Sequence, residues 1–302
     1  MKLVLGTRKS KLALAQARAY CASLVERCRP EVALAIEEVH VVTSGDRFQD
    51  RSLQDIGGKG LFIKEVEEAL LDRSTDFAVH SIKDVPAALA PGLVLAAVPE
   101  REDARDVVVT RNGRPLAELP KGARLGTSSL RRRAYLSLAR PDLEVLALRG
   151  NVDTRLRKLE EGQVDAIVLA AAGLRRLGLG DRATEHLPPE LCLPAVGQGA
   201  LGIECRADDE RVRALLARTD HAPTRLCVTA ERAVMEAVGG SCHLPVAAYG
   251  LRVGGELWLR AMLAEADGTR MRTAERRAPW PEGDLAAAEA LGRALGEELA
   301  RA

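Results

Sequence analysis

Aromatic side chains are scarce: three Phe, two Trp and three Tyr in 302 residues. So few rings leave no stacking platforms of the kind that hold single-stranded nucleic acid, and a net charge of +1 supplies no general attraction for polyanions. Nucleic acid is therefore not an expected partner, and the cores must be filled by Leu, Val, Ile and Ala. Long apolar runs are absent too. The longest, AIVLAAAGL from Ala166, falls far short of the roughly 20 residues a bilayer requires. The opening MKLVLGTRKSKL lacks the apolar core and cleavage site of a secretory signal, so a cytoplasmic location without membrane contact is expected. The six cysteines (21, 28, 192, 205, 227 and 242) include no CxxC pair, and the five histidines show no ligand spacing, so no metal site is expected. Lysine is rare as well: eight, against 36 arginines.

What is present reads as α/β. The length suits two or three domains. Lys2–Leu5 is an apolar strand and GTRKS is expected to turn the chain. Ser10 is placed to cap a helix with Leu14, Ala17, Cys21, Leu24, Val25 and Cys28 on its apolar face. Strands are expected at Glu38–Val42, Asp76–Val79 and Leu93–Val98, with a helix in LFIKEVEEALL. The pattern restarts at Arg124 with strand, glycine turn and helix in RLGTSSLRRRAYLSLA. A strand at Leu143–Leu148, a helix at Val152–Glu161 and a strand at Asp165–Leu169 follow. LGT at Leu5 and LGT at Leu125 open the two halves alike. Strands alternating with helices predict parallel sheets, and the repetition predicts two similar α/β domains facing each other across a cleft. From about Ala222 the pattern changes. A helix over Thr224–Val238, strands at Val246–Arg252, Glu256–Ala264 and Thr269–Arg277 joined by a turn at Asp267-Gly268, and a final helix from Asp284 predict a small α+β domain.

Ligands of such sheets lie beyond the carboxyl ends of the strands. The turns expected there, GTRKS, HSIKD, GTSSLRR and RGN, are all polar or basic. Between Lys121 and Glu160 ten basic residues face four acidic ones. Arginine's planar fork suits carboxylates and phosphates, so the set predicts a small anionic ligand. Asp84, at a strand end in this basic setting, suits either a ligand N–H and proton transfer or a helix cap. Cys242 stands on a presented glycine loop, GGSCHLP. The adjoining His243 is badly placed to serve as its base, which counts against a cysteine hydrolase. A non-catalytic small-anion binding protein fits the first two domains equally well.

The motifs GTRKSKLALAQ, TSGD, GGKGLFIKEVE, AVHSIKDVP, GTSSLRRR, LRGNVDTRL, AAAGLRRLGL, LPAVGQGALGIE and GGSCHLP run in order along most of the chain. Together they closely resemble the porphobilinogen deaminase (hydroxymethylbilane synthase) family. The resemblance implies a deaminating transferase of tetrapyrrole (haem) biosynthesis. It joins four porphobilinogen molecules head to tail on a dipyrromethane primer, releasing ammonia and hydroxymethylbilane. It implies that Cys242 holds the primer through a thioether and that Asp84 is catalytic. Lys83, Ser81, Thr127, Ser129, Arg131 and Arg132 are then cofactor-binding. Arg8, Ser10, Ser128, Arg149, Arg155 and Arg176 are substrate-binding, and Lys59 and Phe62 belong to a lid. The fold implied is two periplasmic-binding-protein-like α/β domains, 1–99 with 200–218 and 100–199. A C-terminal α+β domain, 219–302, carries a three-stranded antiparallel sheet and Cys242. A monomer is implied. Ser241 stands where a common family form has glycine, a small replacement that should be tolerated.

Overall fold

The computed structural model describes residues 1–29, 31–44, 63–239, 244–265 and 268–301. Cys242, Lys59, Phe62 and the Asp267 turn position lie outside the described residues.

The chain opens with β1 (Lys2–Arg8), α1 (Lys11–Cys28), β2 (Ala35–Val41), α2 (Lys64–Leu71), β3 (Phe77–Ser81) and β4 (Leu93–Ala97). The expected cap is present: Ser10 is extended, and its Oγ accepts from the Ala13 N–H at 3.2 Å. The buried face of α1 differs from expectation. It is Ala13, Gln16, Ala17, Tyr20, Leu24 and Cys28, while Leu14, Cys21 and Val25 are half-buried. Gln16 and Tyr20 are buried because each finds a hydrogen-bond partner inside, Ser81 and Thr219 respectively. GTR is not a turn either. Pairing with β2 at Gly6↔Val39, Thr7↔His40 and Arg8↔Val41 keeps it in the strand.

Next come β5 (Asp106–Thr110), β6 (Arg124–Gly126), α3 (Leu130–Ala139), β7 (Glu144–Leu146), α4 (Val152–Glu160), β8 (Ala166–Ala170), α5 (Ala171–Arg176) and β9 (Glu185–His186). They are followed by β10 (Leu201–Arg206) and α6 (Glu210–Leu216). The chain ends with α7 (Ala222–Ala237), β11 (Val246–Val253), β12 (Glu256–Leu263), β13 (Arg272–Pro279) and α8 (Leu285–Arg301).

The strands form two five-stranded sheets, β2-β1-β3-β10-β4 and β7-β6-β8-β5-β9, and one three-stranded sheet, β11-β12-β13. The two larger sheets share one plan, and the Leu-Gly of each LGT lies on the corresponding strand, β1 or β6. Both sheets are mixed, which corrects the parallel expectation. β10 runs antiparallel to β3 and β4, and β5 runs antiparallel to β8 and β9. These two strands are reached by connections other than a strand–helix–strand crossover, so nothing obliges them to run parallel. Gly126 permits close packing in the second sheet, since a Cβ there would sit 2.8 Å from Leu148 Cδ2.

The chain divides into two compact units, 1–101 with 200–225, and 102–199 with 226–302. The first has a core of Leu3, Leu5, Tyr20, Phe77, Ile203 and their neighbours. In the second, the three-stranded sheet packs on α7 and α8 through Leu226, Val234, Leu257, Leu259 and Leu295. Ala247, Met262 and Ala264 of that sheet also join the core around Leu125, Tyr135 and Leu136. Continuous apolar packing of this kind stabilises each large buried side chain by about 1.5–3 kcal/mol.

Candidate functional site

In the first unit the carboxyl ends of β1 and β3 frame a pocket lined by Gly6, Thr7, Arg8, Gln16, His80, Ser81 and Asp84, among others. Arg8 ends β1 and Ser81 ends β3. A short 3-10 turn, Ile82–Asp84, then lifts Lys83 and Asp84 to the surface while Ile82 is buried beneath. Val85, before Pro86, is extended at φ −83 and ψ 126 and ends that turn. Ser81 Oγ donates to Gln16 Oε1 at 3.1 Å. The structure thus brings Arg8, Ser81 and Asp84 to one pocket. Ser10 and Lys83 are not among its lining residues, and the Ser10 oxygen is occupied by the helix cap.

The second unit repeats the arrangement at β6. Thr127 is buried, its Oγ1 accepting from the Ser129 N–H at 3.2 Å, and Ser128 Oγ donates to the Leu148 carbonyl at 2.9 Å. Ser129 caps α3. Arg131 and Arg132 follow, but they do not stand on an open basic face. Both are buried on Asp106 of β5. Arg131 Nη2 donates to Oδ2 at 2.7 Å, while Arg132 Nε and Nη2 donate to Oδ1 at 3.1 and 2.7 Å. Gln198 Nε2 adds a 2.9 Å bond to Oδ1, and Cys192 Sγ lies 3.3 Å from Oδ2. Burial alone would raise the Asp106 pKa, but the two guanidinium groups outweigh it and hold this carboxylate well below its usual range. Two cations share one anion there, so the buried cluster carries a surplus positive charge.

Arg149 and Arg155 flank the glycine turn between β7 and α4, both half-buried, and Arg155 Nε donates to the Gly150 carbonyl at 2.8 Å. Arg176, at the end of α5, donates to the Gly199 carbonyl at 2.7 Å and makes no salt bridge among the described residues. Burial lowers its pKa from the ordinary guanidinium value, with Glu102 acting in the opposite sense. A half-buried guanidinium oriented by a neutral carbonyl keeps its charge available to an anion.

Four residues that sequence reasoning missed are central to these sites: Gln16, Asp106 and the buried pair His80–Glu204, whose Nε2 and Oε2 are 2.8 Å apart. Their partners are remote in the chain, so no local pattern marks them. Of the five cysteines described, all are free thiols. Burial pushes Cys21 and Cys192 up to about 12 and Cys205 up to about 11, which keeps these thiols protonated.

Two family models match in succession: "Porphobilinogen deaminase, dipyromethane cofactor binding domain" over residues 3–214 and "Porphobilinogen deaminase, C-terminal domain" over residues 225–301. This chain belongs to the porphobilinogen deaminase family. A porphobilinogen deaminase of Sorangium cellulosum is 65% identical over 99% of this chain and 98% of its own length. That of Brevibacillus brevis is 48% identical over 99% and 97%. Among solved structures, a periplasmic binding protein of Salmonella typhimurium is 17% identical, covering 72% of this chain and 91% of its own, with a TM-score of 0.39.

The residues present fit the family's dipyrromethane cofactor. Each of its two rings carries two carboxylates, and the surplus positive charge on the Asp106 cluster of the second unit suits them.

Proposed function

We infer that this chain is a hydroxymethylbilane synthase, a deaminating transferase that condenses four porphobilinogen molecules into hydroxymethylbilane with loss of ammonia. The observation that carries the reading is the pair of family models, cofactor-binding domain then C-terminal domain, spanning nearly all of the chain. The pocket holding Arg8, Ser81 and Asp84 supports it chemically. In the first unit we assign Arg8 and Ser10 to substrate carboxylates, Ser81 and Lys83 to the cofactor, and Asp84 to catalysis. In the second, Thr127, Ser129, Arg131 and Arg132 are assigned to the cofactor, and Ser128, Arg149, Arg155 and Arg176 to substrate. Cys242 is the attachment point, and Lys59 with Phe62 a lid.

When bound, the dipyrromethane supplies the nucleophilic pyrrole carbon that starts the chain. The protein's part is binding and electrostatics. Arginines neutralise carboxylates whose number rises with every added ring. Asp84 accepts hydrogen bonds from pyrrole N–H groups and offsets the positive charge that develops as ammonia leaves, a charge the exposed carboxylate meets without rearranging. Four of the five described cysteines are buried and Cys21 is half-buried, which is consistent with Cys242 as the anchor that the family resemblance implies. We further propose that 219–302 forms its own domain beside 1–99 with 200–218 and 100–199, and that the enzyme works as a cytoplasmic monomer. The separate C-terminal three-stranded sheet supports the domain assignment.

The test is the intact mass of the denatured protein beside Cys242→Ser. An excess of two linked pyrrole units in the parent, absent from the variant, is expected. Unmodified mass in both, persisting after incubation with porphobilinogen, overturns the reading.

A further inference from the structure

Beneath the Asp84 pocket lies a group of ionisable side chains to which the assignments above give no role. His80, on β3 and four residues before Asp84, lines the pocket while its side chain is 8% exposed. Its Nε2 is 2.8 Å from Oε2 of Glu204, on the adjacent antiparallel strand β10. Glu204 is wholly buried. A carboxylate only accepts, so Nε2 carries the proton of that bond, and Nδ1 of a neutral ring is then a base. Nδ1 has no hydrogen-bond partner among the described residues. An imidazole tied to a buried carboxylate on one side, with its other nitrogen unengaged at a pocket, has the parts of a general base whose protonated form is stabilised from behind.

The second carboxyl, Glu67 of α2, completes the arrangement. Glu204 Oε1 is buried with no donor when its neighbours are ionised. Glu67 lies close enough to feel the Glu204 charge, and a Glu67 that holds its proton supplies that donor. Burial above all, with the Glu204 charge adding to it, pushes Glu67 to do so, while the Ala90 N–H, 3.0 Å from Oε1, pulls the other way. Two carboxyl groups thus stand behind the imidazole, with burial favouring the protonated form of Glu67. The three groups do not form a metal site. The other charged groups near His80 are Arg8 at the end of β1 and Lys83 and Asp84 in the turn after β3.

We propose that His80, backed by Glu204 and Glu67, is the base that takes up the proton released in each condensation. The inference rests on the deaminase reading. In that reaction the substrate's aminomethyl C–N bond breaks and its electron pair leaves with nitrogen as ammonia. A C–C bond forms to the acceptor ring, whose carbon then gives up a proton. His80 Nδ1 receives that proton and the Glu204 carboxylate holds the imidazolium. The proton then passes to solvent or to the departing ammonia, which leaves as ammonium, so the books balance without another reactant.

The experiment compares the holoenzyme with His80→Gln and His80→Ala. Turnover of porphobilinogen by the parent establishes the deaminase reading independently of the variants. Both variants are expected to carry the full cofactor mass and to lose about 100-fold in kcat with little change in KM. One limb of the pH–rate profile should vanish in both variants, and added imidazole should restore His80→Ala in proportion to its neutral form. Retained kcat, or an unchanged limb, overturns the proposal. If neither variant folds, nitrogen NMR of the wild-type holoenzyme decides. A His80 ring that is Nε2–H when neutral and titrates along the rate limb supports the proposal, and one that is Nδ1–H or does not titrate overturns it.

Discussion

Replacing Asp106 by Ala would leave Arg131 and Arg132 facing each other without their anion. The carboxylate is fully buried and the guanidiniums are 5% and 6% exposed, so water cannot take over its role. The loss removes ion-pair contacts of 2.7 Å to each arginine, the 3.1 Å bond from Arg132 Nε and the 2.9 Å bond from Gln198. Breaking a buried pair by deleting one partner costs about 3–5 kcal/mol, and two stranded cations place this site at the upper end. At an m-value of about 2.5 kcal/mol per M, the urea midpoint should fall by roughly 1–2 M.

Asp106→Asn separates charge from hydrogen bonding, since an amide keeps one acceptor oxygen but no charge. It should recover only a minor part of the loss. The pH dependence has a definite sign. A carboxylate whose folded pKa is depressed contributes stability that is fully present above its unfolded pKa, about 4, and is lost as pH falls through the folded value. The parent should therefore weaken in acid below about pH 4, and Asp106→Ala should lack this part of the acid sensitivity. A loss under about 1 kcal/mol, or equal acid sensitivity in both proteins, refutes the clamp.

Asp84→Asn should retain cofactor mass and lose at least about 100-fold in turnover, because the amide keeps a hydrogen bond but not the charge; a near-normal rate in steady-state assay contradicts the assignment. Arg149→Leu and Arg155→Leu should keep the circular dichroism of the parent while stalling chain growth or cofactor assembly. That stall is visible as a shortened mass ladder, and an unaltered ladder in both makes them surface arginines only. Lysine should be far more damaging to stability at Arg132, which donates through Nε, Nη1 and Nη2, than at Arg176, which makes one bond to Gly199. Equal melting temperatures would contradict this. Gly292→Ala places a Cβ 2.0 Å from the Ala230 carbonyl oxygen, where α8 meets α7, and should cost roughly 1–3 kcal/mol in a thermal melt.

Much of this was legible because it is local. Gly126 and the Ser129 cap mark the β6–α3 turn within a few residues, and Ser10 marks α1 in the same way. The polar segments HSIKD, GTSSLRR and RGN do lie at strand carboxyl ends, whereas GTR is itself strand. What escaped is set by partners far along the chain. β5 has no counterpart among the strands expected from the sequence, and all five of its residues, Asp106 and Thr110 included, are buried. Asp106 is buried because Arg131, 25 positions later, neutralises it, and His80 because Glu204, 124 positions later, receives its proton. Gln16 and Tyr20 turned the buried face of α1 for the same reason. A polar residue counts as outward in a hydrophobic pattern until its partner is known.

The arginines of the second unit thereby separate into two kinds, a distinction that charge counting along the chain cannot make. Arg132 spends its donors on Asp106 and the Val168 carbonyl, so its geometry is fixed before any ligand arrives. Arg176 is aimed by one neutral carbonyl, with burial working against its charge. A carboxylate arriving at Arg176 relieves that desolvation. One arriving at the Asp106 cluster meets a surplus charge already rigidly positioned, and little further ordering is needed to bind it. Fixed cations suit a cofactor that is bound once and kept. Cations oriented by backbone carbonyls suit a chain whose carboxylates must be taken up and released at every turnover. The proposed division into cofactor-binding and substrate-binding arginines thus follows what each guanidinium donates to.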